Sequence, residues 1–107
     1  MIALYDVTAI GNAIVDVIAQ CDDAFLTTEG LTKNSMQLVT QDYSGSLYGR
    51  MGQALETSGG SAGNTVAGVA SFGGRAAYIG KVADDQLGDI FAHDIQAIGV
   101  HFNTPAL

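Results

Sequence analysis

Ala76-Ala77-Tyr78-Ile79 is apolar at all four positions. A half-solvated strand alternates, whereas a strand covered on both faces reads as an unbroken apolar run. Before it, Val66, Val69, Ala70 and Gly73 recur at helical spacing over 62–73, and Gly73-Gly74 ends that helix. After it, Asp84-Asp85 opens a helix over 85–98 whose stripe is Leu87, Ile90, Phe91, Ile95 and Ile98, with Gly99 as its cap. Val100-His101-Phe102 then begins another strand. This alternation with short glycine turns predicts an α/β fold with a largely parallel sheet.

The first half is less regular. Residues 6–10 and 13–19 read as two strands, rich in β-branched residues and separated by Gly11-Asn12. That dipeptide fits a hairpin turn or a bend within one long strand, and local sequence does not decide. Asp16 stands among apolar neighbours, where a carboxylate is costly without partners. Alternation along the strand offers the plainer account, a solvated face, although Ile14 and Ile18 share that face. Residues 21–33 read as polar and turn-like, and 36–39 as a short exposed strand. Thr40 caps a helix expected from Gln41 to about Leu55, with Leu47, Tyr48, Met51 and Leu55 on one face.

Between the halves lies Thr57-Ser58-Gly59-Gly60-Ser61-Ala62-Gly63-Asn64-Thr65. Small residues ahead of a helix leave unpaired N–H donors that suit an anion or a set of hydroxyls. A simple turn is the alternative. The dinucleotide fingerprint G-x-G-x-x-G fits nowhere across Gly59 to Gly68. The P-loop fails as well: five residues separate Gly74 and Gly80, and Val82 follows Lys81.

Composition narrows the field further. The chain has 107 residues, at most one small domain. It is 48% hydrophobic and 14% charged, the profile of a folding sequence. Four basic residues against a net charge of −7 leave no footprint for nucleic acid or an anionic membrane. Cys21 is the single cysteine, so no internal disulfide forms, and a reducing, cytoplasmic setting is expected. The opening residues 1–6 lack the basic n-region of a signal peptide, and no apolar run reaches membrane-helix length.

Several pieces then combine. Ile10-Gly11-Asn12-Ala13-Ile14-Val15-Asp16 resembles the opening of the ribokinase-like (PfkB) carbohydrate kinases. Ser58 to Thr65, then Gly73-Gly74, then Gly80-Lys81-Val82-Ala83-Asp84-Asp85-Gln86-Leu87-Gly88, is similar to that family's N-terminal signature in order and spacing. Residues 34–39 and 59–64 resemble the adenosine kinase branch most.

The resemblance implies an α/β sandwich with a β-lid, and a sugar or nucleoside kinase that moves the γ-phosphoryl of ATP, with magnesium, to a primary hydroxyl. It implies lid elements at about 13–21 and 31–40 and an α/β core over about 41–107, and it favours a bend at Gly11-Asn12. Asp16 matches the carboxylate that accepts from the sugar's secondary hydroxyls, and Asn12 a neighbouring sugar contact. Gly60, Ser61 and Asn64 match the loop on the other side of the ribose, and Met36 and Leu38 fall where a lid meets the substrate or simply packs. The family's Gly-Ala-Gly-Asp segment, which carries the catalytic base and the anion hole, has no counterpart here. No catalytic residue, metal site or bound ATP is therefore expected in this chain, which reads as the N-terminal third of a kinase, inactive alone and prone to associate through its lid or an open sheet edge. A non-catalytic nucleoside- or polyol-binding module, or a self-associating domain, is the competing reading.

Overall fold

The computed structural model describes residues 3–107, and the opening expectation for residues 1–2 lies outside them. The elements are β1 (Val7–Ile10), β2 (Ile14–Ala19), α1 (Asp23–Glu29), α2 (Gln41–Arg50), β3 (Ala54–Gly59), α3 (Ser61–Ser71), β4 (Ala76–Ile79) and α4 (Gln86–Ala97). They fall into two compact units: residues up to Asp16 with Glu56–Leu107, and Val17–Leu55.

In the first unit β1 lies parallel to β4, in a register pairing Val7 with Ala76 and Ile10 with Ile79. Arg75 and Asp6 set this register just before the two strands. The Arg75 N–H donates to Asp6 Oδ2 at 2.8 Å, and the guanidinium reaches Oδ1 at 3.1 Å. These donors hold the Asp6 carboxyl below its usual range, the backbone N–H most strongly. On the other side of β4, His101 forms a parallel bridge with Ala77, so β4, α4 and the His101 segment make a β–α–β unit. The expected strand at 100–102 is thus reduced to one bridge.

Tyr78, Phe91, Ile95 and Val66 are the largest fully buried side chains. Tyr78, Phe91 and Phe102 form an aromatic triad with ring centroids 5.5–5.9 Å apart. Such offset and edge-on contacts add to the area they bury. The α4 stripe points inward at Phe91 and Ile95, but Leu87 and Ile98 at its ends remain exposed.

The bend, and not the hairpin, holds at Gly11-Asn12: β1 pairs with β4 while β2 pairs with β3 in a separate two-stranded sheet. Three other expectations give way. Residues 23–29 form a helix where a turn was expected: the Asp22 carboxylate accepts from the Phe25 N–H, and Gly30 closes the far end. Residues 36–39 form no strand, because no neighbouring strand pairs with them among the described residues. The helix after Thr40 stops at Arg50, and Leu55 belongs to β3, where pairing with β2 overrides the helical spacing.

In the Val17–Leu55 unit Arg50 joins α1 to α2. Its Nε and Nη2 donate to the two Glu29 carboxylate oxygens at 2.5 and 2.7 Å, and the Tyr43 hydroxyl donates to the Glu29 carbonyl at 2.8 Å. The Arg50 hydrogen bonds hold the Glu29 carboxyl below its ordinary value, against an opposing push from burial. A cavity of about 350 Å³ beside this pair is lined chiefly by Phe25, Leu26, Leu31, Leu47 and Met51. No helix of the described residues is long and apolar enough to cross a membrane.

Candidate substrate site at the strand ends

Parallel α/β sheets present ligand sites outside the carboxyl ends of their strands. Here a cleft of about 430 Å³ opens at the carboxyl ends of β1 and β4, lined by Ile10, Gly11, Asn12, Gly80, Lys81 and Thr104 among others. Asn12 is exposed there, between β1 and β2.

Along β2 exposure alternates, and Asp16 falls on the open face with Ile14. The solvated-face reading of Asp16 therefore holds, yet that face is apolar around the carboxylate. Opposite it stands Gly59, the buried last residue of β3. A Cβ built on Gly59 would stand 2.9 Å from Asp16 Cγ and closer still to Oδ2. Only a residue without a side chain admits the carboxylate at this distance.

Gly60 follows as the N-cap of α3, with φ 87° and ψ 154°. That region belongs almost entirely to glycine. A Cβ here would approach the Asn12 carbonyl oxygen to 3.0 Å and Ile14 to 3.5 Å. Gly60 makes no side-chain cap, and the first helical bond runs from the Asn64 N–H to the Gly60 carbonyl at 2.8 Å. The N–H groups of residues 61–63 therefore lack acceptors within the helix. Ser61 and Asn64, both exposed, share one side of this first turn.

Of the residues singled out from sequence, Asn12, Asp16 and Gly60 are thus brought together around Ile14 and Gly59, and Ser61 and Asn64 sit on the adjoining helix start. Met36 and Leu38 lie in the Val17–Leu55 unit, in the irregular segment before α2, 81% and 92% exposed. Three residues escaped the sequence reading. Gly59 receives Asp16. Ser58 donates through both its N–H and its hydroxyl to Asp94 Oδ2, each at 2.7 Å. Asp94 carried a legible signal, since it falls four residues after Ile90 and three after Phe91, inside the apolar stripe of α4.

The site offers a carboxylate acceptor, a carboxamide and a set of backbone donors, which together suit a vicinal diol with polar substituents. Among the described residues no group of three or more His, Cys, Asp or Glu stands together to hold a metal ion. The sequence carries neither the P-loop pattern nor a Gly-Ala-Gly-Asp segment.

The profile of the pfkB family of carbohydrate kinases matches residues 6–104. Adenosine kinase from Sinorhizobium meliloti is 67% identical and superposes with a TM-score of 0.77 over 98% of this chain and 32% of its own. A probable sugar kinase protein from Rhizobium etli CFN 42 is 57% identical, with a TM-score of 0.78 over 99% of this chain and 32% of its own. Trypanosoma brucei brucei adenosine kinase is 28% identical, with a TM-score of 0.75 over 94% and 32%. The chain spans about a third of the length of these solved relatives. A search of curated proteins gave no match.

Proposed function

The chain belongs to the pfkB family of carbohydrate kinases, and from that premise we propose that it forms the substrate-binding side of a kinase that phosphorylates a primary hydroxyl of adenosine or a related nucleoside or sugar. The observation that carries the reading is the Asp16 carboxylate seated on Gly59 beside the open start of α3. Asp16 accepts hydrogen bonds from the two secondary hydroxyls of a ribose, a pairing that a carboxylate satisfies with both oxygens. Asn12, Ser61 and Asn64 supply further polar contacts, Gly60 keeps the approach clear, and Met36 and Leu38 belong to a lid formed by about 13–21 and 31–40. The 67% identity to an adenosine kinase favours a nucleoside over a simple sugar.

Phosphoryl transfer rests on positioning and charge stabilisation around the phosphates. ATP and magnesium supply the transferred group and its charge neutralisation in the full-length enzyme. The residues that hold them lie outside this chain, and the isolated 107 residues transfer no phosphate. A cytoplasmic setting fits the lone, exposed Cys21.

The test is a transfer assay on the full-length protein with ATP, magnesium and a panel of adenosine, guanosine, uridine and ribose. Phosphorylation of adenosine at its 5′-hydroxyl supports the reading. Turnover of none of the panel overturns it, and preference for ribose moves the substrate class to simple sugars.

A further inference from the structure

The end of β3 that receives Asp16 is held from behind by a residue that lies outside the site. Ser58 immediately precedes the two glycines that face Asp16 and Asn12. Its N–H and hydroxyl converge on one oxygen, Asp94 Oδ2, at 2.7 Å each. Asp94 is presented by α4, whose Phe91 and Ile95 are fully buried in the core. Both partners are partly buried, where hydrogen bonds to a charged acceptor are strongest and most directional. The carboxylate of a core-anchored helix thus fixes the strand residue immediately before Gly59 and Gly60.

We propose that Asp94 is a positioning residue for substrate binding: through Ser58 it sets where Gly59 and Gly60 stand, and so where the Asp16 carboxylate comes to rest. The proposal rests on the reading of Asp16 as the substrate's acceptor. The coupling is steric. Gly59 has no room for a Cβ against the Asp16 carboxylate, and Gly60 has almost none against the Asn12 carbonyl. A small shift of the Ser58 backbone is therefore passed directly to both polar groups. Asp94 does not touch the substrate, so it governs the geometry of binding and not the chemical step.

The experiment uses the full-length protein and compares Asp94→Ala, Asp94→Asn and Ser58→Ala with Asp16→Ala. Asp94→Ala removes the acceptor. Asp94→Asn keeps an amide oxygen in the same place, which can still accept from both donors. The expected result for Asp94→Ala is a rise of about tenfold in KM for the nucleoside, as lost hydrogen bonds to a charged group imply. Its kcat and its KM for ATP stay within about twofold, and Asp94→Asn recovers most of the loss. Ser58→Ala moves KM in the same direction, and the double variant Ser58→Ala with Asp94→Ala is no worse than Asp94→Ala alone. A purely structural residue would instead lower Tm and the active fraction with KM unchanged. If Asp94→Ala does not fold, Asp94→Asn and Ser58→Ala decide: wild-type KM in Ser58→Ala overturns the proposal. If Asp16→Ala raises KM but neither Asp94 variant nor Ser58→Ala does, the positioning role fails and the reading of the site stands. If Asp16→Ala leaves KM unchanged, the reading of the site itself has failed.

Discussion

Gly59 and Asp16 stand so close that a single methyl group could not be placed between them: a Cβ on Gly59 would lie 2.9 Å from Asp16 Cγ. Gly59→Ala in the full-length protein therefore displaces the carboxylate. The expected outcome is weaker nucleoside binding by calorimetry, with the circular dichroism spectrum retained. Unchanged binding would show that Asp16 is free to move without consequence. Gly60→Ala carries a different cost, since its φ of 87° and ψ of 154° are closed to other residues. It is expected to lower stability by about 1–3 kcal/mol in denaturant titration.

Tyr78 predicts an effect of the opposite sign. Its hydroxyl is buried with no hydrogen-bond partner among the described residues, and burial pushes the phenol's pKa up. Tyr78→Phe removes the unsatisfied group and keeps the ring against Phe91 and Phe102. The expected change is a gain of about 1 kcal/mol in unfolding free energy. A loss would mean that the hydroxyl has found a partner in solution.

These residues also mark how far the sequence could be read. Ala76–Ile79, the Asp85 cap and the stripe of α4 were legible because their signals are local: an unbroken apolar run, a capping carboxylate, a helical period. β3 was not, because Glu56, Thr57 and Ser58 are polar and the strand exists through pairing with β2, far away in the chain. The run at 36–39 fails for the converse reason, since it alternates but has no partner strand among the described residues. α1 was legible in principle: Asp22 and Gly30 bracket it at capping distance, but Phe25 and Leu26 alone give too little apolar period to betray seven residues. At the candidate site, motif and resemblance single out Asn12, Asp16 and Gly60. The contact of Gly59 with Asp16 and the bond from Ser58 to Asp94 arise only when distant segments fold together.

Glu29 and Arg50 predict a pH dependence. Glu29 is held below the ordinary glutamate value of about 4.3 by the Arg50 guanidinium. A carboxyl depressed in the folded state adds stability that is fully present above that ordinary value. It is lost as pH falls through the folded value. Between about pH 5 and 3 the wild-type Tm should therefore fall more steeply than that of Glu29→Gln, which has no proton to take up. Parallel curves for the two proteins would contradict the assignment.

The isolated 107-residue chain is expected to associate. The outer edge of β1 carries no ladder partner among the described residues, and Ile10, Phe72 and Ile79 are exposed. An open strand edge beside apolar surface templates pairing with another copy. The net charge of −7 opposes this at low ionic strength, so light scattering should report growth as salt is added. A monodisperse monomer across the salt range would show that these edges are self-sufficient.

Steady-state kinetics of Asp16→Ala in the full-length protein test whether Asp16 is the acceptor for the substrate's hydroxyls. Removing a charge-assisted acceptor for two hydroxyls is worth on the order of 2 kcal/mol, or more than about tenfold. KM for the nucleoside is expected to rise by at least about tenfold while KM for ATP stays within about twofold. An Asp16→Ala enzyme with both KM values and kcat unchanged would contradict that role.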